Sequence, residues 1–215
     1  MTRASKAAAV LFLSAGIASS AIAALAGILS GATQTGPVIY RIPVHGAVEL
    51  GLAPFIERAL DEAEETGAEL AVLDIDTPGG RVDAAWQIVD AVRESGIPTA
   101  AYVNRRALSA GAMIALATDR LYMRPGSSIG AATPVDSKGN RASEKMVSAM
   151  RAEFRSLAED RQLDPRIGEA MVDESIVIDG LVGEGKLLTL TTEEAVRVGV
   201  ANGTVESWDE LVAVA

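Results

Sequence analysis

The chain has 215 residues, 49% of them hydrophobic and 22% charged, enough for one sizeable core with short appendages. A net charge of −10 and an aromatic content of 4% exclude the basic face and the stacking platforms that nucleic-acid binding requires. Cysteine is absent, which excludes disulfides, thiolate metal sites and cysteine nucleophiles, and the one histidine, His45, excludes multi-histidine metal centres.

Residues 1–31 carry two charges, Arg3 and Lys6, followed by an apolar or small run from Ala7 to Leu29. The run fits a secretory signal with small-residue cleavage patterns at Ala21-Ile22-Ala23 or Ala24-Leu25-Ala26. It fits a retained membrane anchor equally well, since that length crosses a hydrocarbon core of about 30 Å. Either way the basic end stays inside and the rest of the chain is extracytoplasmic. Residues 32–37 read as a linker, and residues 38–215 as one further domain.

Residues 38–44 (VIYRIPV) alternate as a strand. In residues 52–66, Phe55, Ile56, Ala59, Leu60 and Ala63 fall at helical spacing, and Gly67 stops the helix. Residues 69–75 (ELAVLDI) form a strand that turns at Thr77-Pro78-Gly79-Gly80. A helix follows over 82–94 with Ala85, Ile88, Val89 and Val92 on one face. Residues 98–103 are a strand, the loop Asn104 to Ser109 follows, and a helix starts near Ser109. Residues 120–123 are a short strand before Pro125-Gly126. A longer helix spans 143–161 on the stripe Val147, Met150, Phe154 and Leu157. Residues 186–190 are a strand, and Thr191 with Glu194 forms a capping box for a short helix ended by Gly199. Strands alternating with helices of this length predict an α/β fold with a mostly parallel sheet, whose functional groups gather in loops after the strands.

Two such loops carry candidate chemistry. Ser109 stands where a strand becomes a helix, so free backbone N–H groups and the positive end of a dipole lie beside its hydroxyl. A serine there can attack a carbonyl while neighbouring amides receive the oxyanion. The plainer alternative is an N-cap packed among Ala110, Gly111 and Ala112. Gly79-Gly80 presents amides that no side chain covers, or is simply a tight turn. Strand–Pro-Gly-Gly–helix followed by strand–Ser-Ala-Gly–helix is the more specific pattern. Asp74 and Asp76, two apart on a strand, share a face, but without a partner cluster they read as structural and not as a metal site.

Four segments in order resemble the protease domain of NfeD-type membrane serine proteases, relatives of signal peptide peptidase A and the Clp proteolytic subunit. They are Asp76-Thr77-Pro78-Gly79-Gly80-Arg81, Ser109-Ala110-Gly111, Pro125-Gly126-Ser127-Ser128-Ile129-Gly130-Ala131 and Gly185-Lys186-Leu187-Leu188-Thr189-Leu190-Thr191. The resemblance covers about residues 37–210. It implies a ClpP/crotonase-like superhelix of repeated ββα units and a serine endopeptidase without cofactor or metal. The implied substrate is a protein or peptide, with stomatin-like membrane proteins cut in apolar segments as the proposed targets. A homodimer or higher homo-oligomer is expected. Long members of the family continue into membrane helices and a small β-barrel.

A serine nucleophile needs a base. His45 lies upstream, whereas the histidine of histidine-using relatives follows the serine. That leaves lysine, which acts as a base only where burial or a helix start disfavours its cation. Lys138 sits in a polar turn and Lys145 at the start of the 143–161 helix, off its apolar stripe, so periodicity does not choose between them. The resemblance places the catalytic lysine at Lys145, although the family often has proline just before it and this chain has Glu144. It also implies the N–H groups of Gly80 and Ala110 as the oxyanion hole, and Gly79, Gly46 and Ser128 as substrate contacts. Ser127 and Ser128 read as cleft-wall or turn residues. Two alternatives use the same fold: a crotonase-type acyl-CoA enzyme, which an extracytoplasmic address disfavours, and a catalytically silent scaffold that binds membrane proteins.

Overall fold

A computed structural model describes residues 37–136 and 138–214. The expected signal or anchor at residues 1–31 lies outside them. Among the described residues no helix is long and apolar enough to cross a membrane.

The elements in chain order are β1 (Ile39–His45), α1 (Leu52–Glu65), β2 (Leu70–Thr77), α2 (Val82–Arg93), β3 (Thr99–Leu108), α3 (Ala110–Leu116), β4 (Arg120–Met123) and β5 (Ser128–Gly130). They continue with α4 (Glu144–Asp160), α5 (Pro165–Val172), β6 (Thr189–Thr191), α6 (Thr192–Arg197), β7 (Gly203–Thr204) and α7 (Trp208–Val214). The strands run β1-β2-β3-β4-β7, all parallel, as crossover helices require. This is the expected α/β class with a mostly parallel sheet.

β3 extends further than its sequence suggests. Asn104, Arg105 and Arg106 belong to the strand, not to a loop. The first part of β3 pairs with β4, and Arg106–Leu108 pairs with β5, which meets β6 antiparallel. Opposite β2 the register shifts, Ile75 facing Val103 and Thr77 facing Ala107, so β3 carries the extra residues of a bulge. One strand thereby serves two sheet directions and delivers Ser109 at the turn.

The larger core lies between the sheet and α1 to α5, with Phe154, Ile56, Leu73, Met113 and Ile114 among its fully buried side chains. The expected stripes of α2 and α4 are buried as read. Phe55 is a correction: α1 buries Ala53, Ile56, Leu60 and Ala63, and this face leaves Phe55 exposed. A smaller cluster on the other face joins Leu70, Val72, Tyr102 and Tyr122 to Leu211 of α7 and to Trp208. The strand expected over 186–190 is shorter and later, Thr189–Thr191, because Leu188 spends its backbone on Ala170 and Ala131. The capping box at Thr191 and Glu194 is present in both directions.

α4 and α5 form an antiparallel hairpin. Asp164 caps α5, accepting from the Arg166 N–H at 3.0 Å, with Pro165 in the first turn. At the other end of α5, Asp173 accepts from the Ser175 N–H at 3.0 Å, from the Ser175 hydroxyl at 2.8 Å and from the Arg151 guanidinium. The Ser175 backbone N–H, helped by its hydroxyl and by Arg151, holds the Asp173 carboxyl below the usual carboxylate range, against the upward push of burial.

Candidate active site

Ser109 is the single residue between β3 and α3, with φ 53° and ψ −117°. That region strains any residue with a Cβ, by about 1–3 kcal/mol. A serine serving only as a cap would adopt extended backbone and bond to the first-turn amides. Ser109 does neither: its side chain makes no capping hydrogen bond, and its hydroxyl has no hydrogen-bond partner among the described residues. Its N–H donates to the Gly130 carbonyl at 2.9 Å, which fastens the turn to β5. A serine held out of the helix on a sharp strand-to-helix turn is the geometry of an exposed nucleophile.

The Gly79-Gly80 turn meets it. A Cβ on Gly79, whose φ is 104°, would lie 2.6 Å from the Ser109 Cβ and 3.2 Å from its Oγ. A Cβ on Gly80 would lie 2.2 Å from the Val48 carbonyl oxygen. Both positions therefore require glycine, one for the serine and the other for the neighbouring backbone. Val48 and Gly80 form a parallel bridge, in which the Val48 N–H donates to the Gly79 carbonyl at 2.9 Å and the Arg81 N–H to the Val48 carbonyl at 2.8 Å. In a trans peptide the Gly80 N–H points opposite to the Gly79 carbonyl, hence away from Val48. The Ala110 N–H belongs to the first turn of α3, where amides have no intrahelical acceptor. Neither amide has a hydrogen-bond acceptor among the described residues.

The structure thus brings Gly79 against Ser109. Gly46, with φ 78°, is tied to the same region: its N–H donates to the Asp76 carbonyl at 3.0 Å, and its carbonyl accepts from the Thr77 hydroxyl at 2.5 Å. Ser128 is half-buried on β5 between Arg106 and Thr191, while Ser127 is buried and its hydroxyl lies 3.2 Å from that of Thr192. Lys145 is the second residue of α4. It is exposed, and no hydrogen bond joins it to Ser109. Lys138 is also exposed, in a turn where its N–H and the Asn140 amides bind the Asp136 carboxylate.

His45 and the two aspartates have other partners. Asp74 is buried and accepts from Arg41 Nε at 3.0 Å, Arg41 Nη2 at 2.5 Å and Asn104 Nδ2 at 3.3 Å. His45 Nε2 lies 3.4 Å from the same carboxylate. Asp76 pairs with Arg106 at 3.1 Å. These contacts give both carboxylates structural roles across β1, β2 and β3.

Thr77 escaped the sequence reading. It is fully buried, and besides bonding Gly46 its hydroxyl accepts the Gly79 N–H at 3.0 Å. Its place directly before Pro78-Gly79-Gly80 was the available signal.

A model of the NfeD1b N-terminal domain matches residues 38–215. Membrane protein NfeD1b of Bacillus subtilis is 43% identical over 189 residues, covering 87% of this chain and 43% of that protein. Membrane-bound protease PH1510 of Pyrococcus horikoshii is 31% identical over 183 residues, covering 81% of this chain and 39% of that protein. The chain thus spans about two-fifths of the length of these curated relatives. Two structures of 1510-N, a membrane-bound stomatin-specific protease, are similar at a TM-score of 0.72 and 30% identity. One is a serine-to-alanine variant, with 81% of this chain and 83% of that chain covered. The other is a lysine-to-alanine variant bound to a substrate peptide, with 82% and 79% covered. ClpP1 from Listeria monocytogenes, at 20% identity and a TM-score of 0.63 over 80% of this chain and 94% of that one, shares the fold. The strained serine turn, the bare glycine turn against it and these likenesses agree: the chain belongs to the NfeD1b N-terminal domain family and has the ClpP-like protease fold.

Proposed function

We propose that this domain is a serine endopeptidase with Ser109 as nucleophile and Lys145 as base. The observation that carries the proposal is the strained, uncapped Ser109 with the bare face of Gly79 against its oxygen. The Lys145 amine takes the Ser109 proton, and Oγ adds to a peptide carbonyl carbon. The resulting oxyanion sits between the N–H groups of Gly80 and Ala110, where each donor lowers the barrier by about 3 kcal/mol. Collapse breaks the C–N bond, the leaving amine takes the proton from Lys145, and water then hydrolyses the acyl-enzyme.

The substrate in this proposal is an apolar segment of a membrane-associated protein, of which a stomatin-like protein is the model. Exposed Leu50, just past the Val48 bridge, and exposed Met146, next to Lys145, suit such a segment. Gly46 and Ser128 would contribute to the same cleft. The proposal places the domain outside the cytoplasm, tethered or released according to the fate of residues 1–31, and as a dimer or higher oligomer, which light scattering reads directly.

Fluorophosphonate labelling tests the chemistry. A label on Ser109 that disappears in Ser109→Ala and Lys145→Ala supports the protease. A folded protein that takes no label supports a second reading, a silent scaffold for membrane proteins, which the exposed Lys145, without a hydrogen bond among the described residues, favours. Membrane proteins that accumulate in a Ser109→Ala strain would identify the substrate.

A further inference from the structure

The two halves of the proposed oxyanion hole come from different parts of the chain. Gly80 lies in the turn after β2, and Ala110 opens α3 after β3. One side chain touches the neighbour of each, Gly79 and Gly111. The Thr77 hydroxyl accepts the Gly79 N–H at 3.0 Å and donates to the Gly46 carbonyl at 2.5 Å. Its methyl group faces α3: a Cβ placed on Gly111, the residue after Ala110, would lie 2.4 Å from Thr77 Cγ2. Thr77 is fully buried, so water cannot substitute for either contact.

We propose that Thr77 is the positioning residue that sets the separation of the Gly80 and Ala110 amides, and so tunes oxyanion binding without touching substrate. This deepens the serine-protease reading and rests on it. The hydroxyl fixes the Pro78–Gly79 peptide from one side, while the Val48 N–H fixes the Gly79–Gly80 peptide from the other. Together these bonds hold Gly79 at its φ of 104° and leave the Gly80 N–H one direction in which to point. The methyl sets how closely the first turn of α3 approaches. Gly111 is required for the same reason: any side chain there would push α3 off Thr77. A preorganised donor pair is effective only at the right spacing from the developing charge.

The test reads two quantities during reaction with an alkyl fluorophosphonate, the rate of labelling and the fraction labelled at the end point. Thr77→Val keeps the shape and removes the hydroxyl. It should reach the wild-type end point at least about tenfold more slowly, since each misplaced donor weakens transition-state binding. Thr77→Ser returns the hydroxyl but not the methyl, so its rate should lie between those of Thr77→Val and wild type, and a rate no faster than that of Thr77→Val overturns the proposal. A lower end point at unchanged rate means only fewer folded molecules and overturns the proposal, as does a Thr77→Val rate equal to wild type. A wild-type protein that takes no label fails one step earlier and overturns the Ser109 reading with it. If Thr77→Val does not fold, Gly111→Ala presses on the same methyl from α3. A slower rate with a full end point then supports the proposal, and an unchanged rate overturns it.

Discussion

Gly79 and Ser109 lie so close that a methyl group on the glycine would stand 2.6 Å from the serine Cβ and 3.2 Å from its oxygen. Gly79→Ala should abolish fluorophosphonate labelling while costing about 1–3 kcal/mol of stability, because it adds a clash and a Cβ at positive φ. Labelling and a urea melt of the same preparation check this. Near-wild-type labelling would show that the serine does not need the bare glycine face.

Ser109 itself should be a source of instability. Ser109→Gly removes the Cβ from a backbone at φ 53° and ψ −117°, whereas Ser109→Ala keeps it. Both variants should be inert, with the glycine variant more stable than the alanine one by about 1 kcal/mol. A calorimetric comparison decides, and equal midpoints would deny the strain.

The two lysines should separate by function. Lys145→Met should remove labelling at Ser109 and Lys138→Ala should leave it intact, since the Asp136–Asn140 turn that holds residue 138 bonds mainly through its backbone. The reverse pattern would transfer the base to Lys138.

Asp173 should shape the acid limb of stability. Its carboxyl is held below the ordinary range in the folded chain, so its contribution is complete above the unfolded value of about 4 and drains away as pH falls through the lowered folded value. Asp173→Asn should lower stability at pH 7 by about 1–2 kcal/mol and flatten the decline below about pH 4. Thermal melts from pH 7 to pH 2 provide the comparison. Parallel curves for the two proteins would show that Asp173 titrates alike in the folded and unfolded states.

The parallel sheet was legible wherever a strand was long enough to alternate and a helix long enough to carry a stripe, as in α2 and α4. β5 and β7 have three and two residues, too few for any period, while β6 was expected over 186–190 and lies at Thr189–Thr191. β3 was cut short because Asn104-Arg105-Arg106 has the composition of a loop, yet Arg106 pairs with Ser128 and Asn104 bonds Asp74. α5 has a readable start in Asp164-Pro165, an N-cap followed by proline. At the site, the glycine pair and Ser-Ala-Gly could be read as motifs. The backbone angles of Ser109 could not, because β5 sets them through Gly130. Nor could the role of Thr77, whose second partner lies 31 residues upstream.

Gly168 has no chemistry of its own, yet a Cβ there would stand 2.1 Å from the Phe154 carbonyl, on the helix that begins beside Lys145. Any larger residue would lever α4 away from α5 and swing the amine at its tip. The activity proposed for this domain would therefore depend on a silent contact far along the hairpin. A survey of variants scored only around the cleft would overlook it.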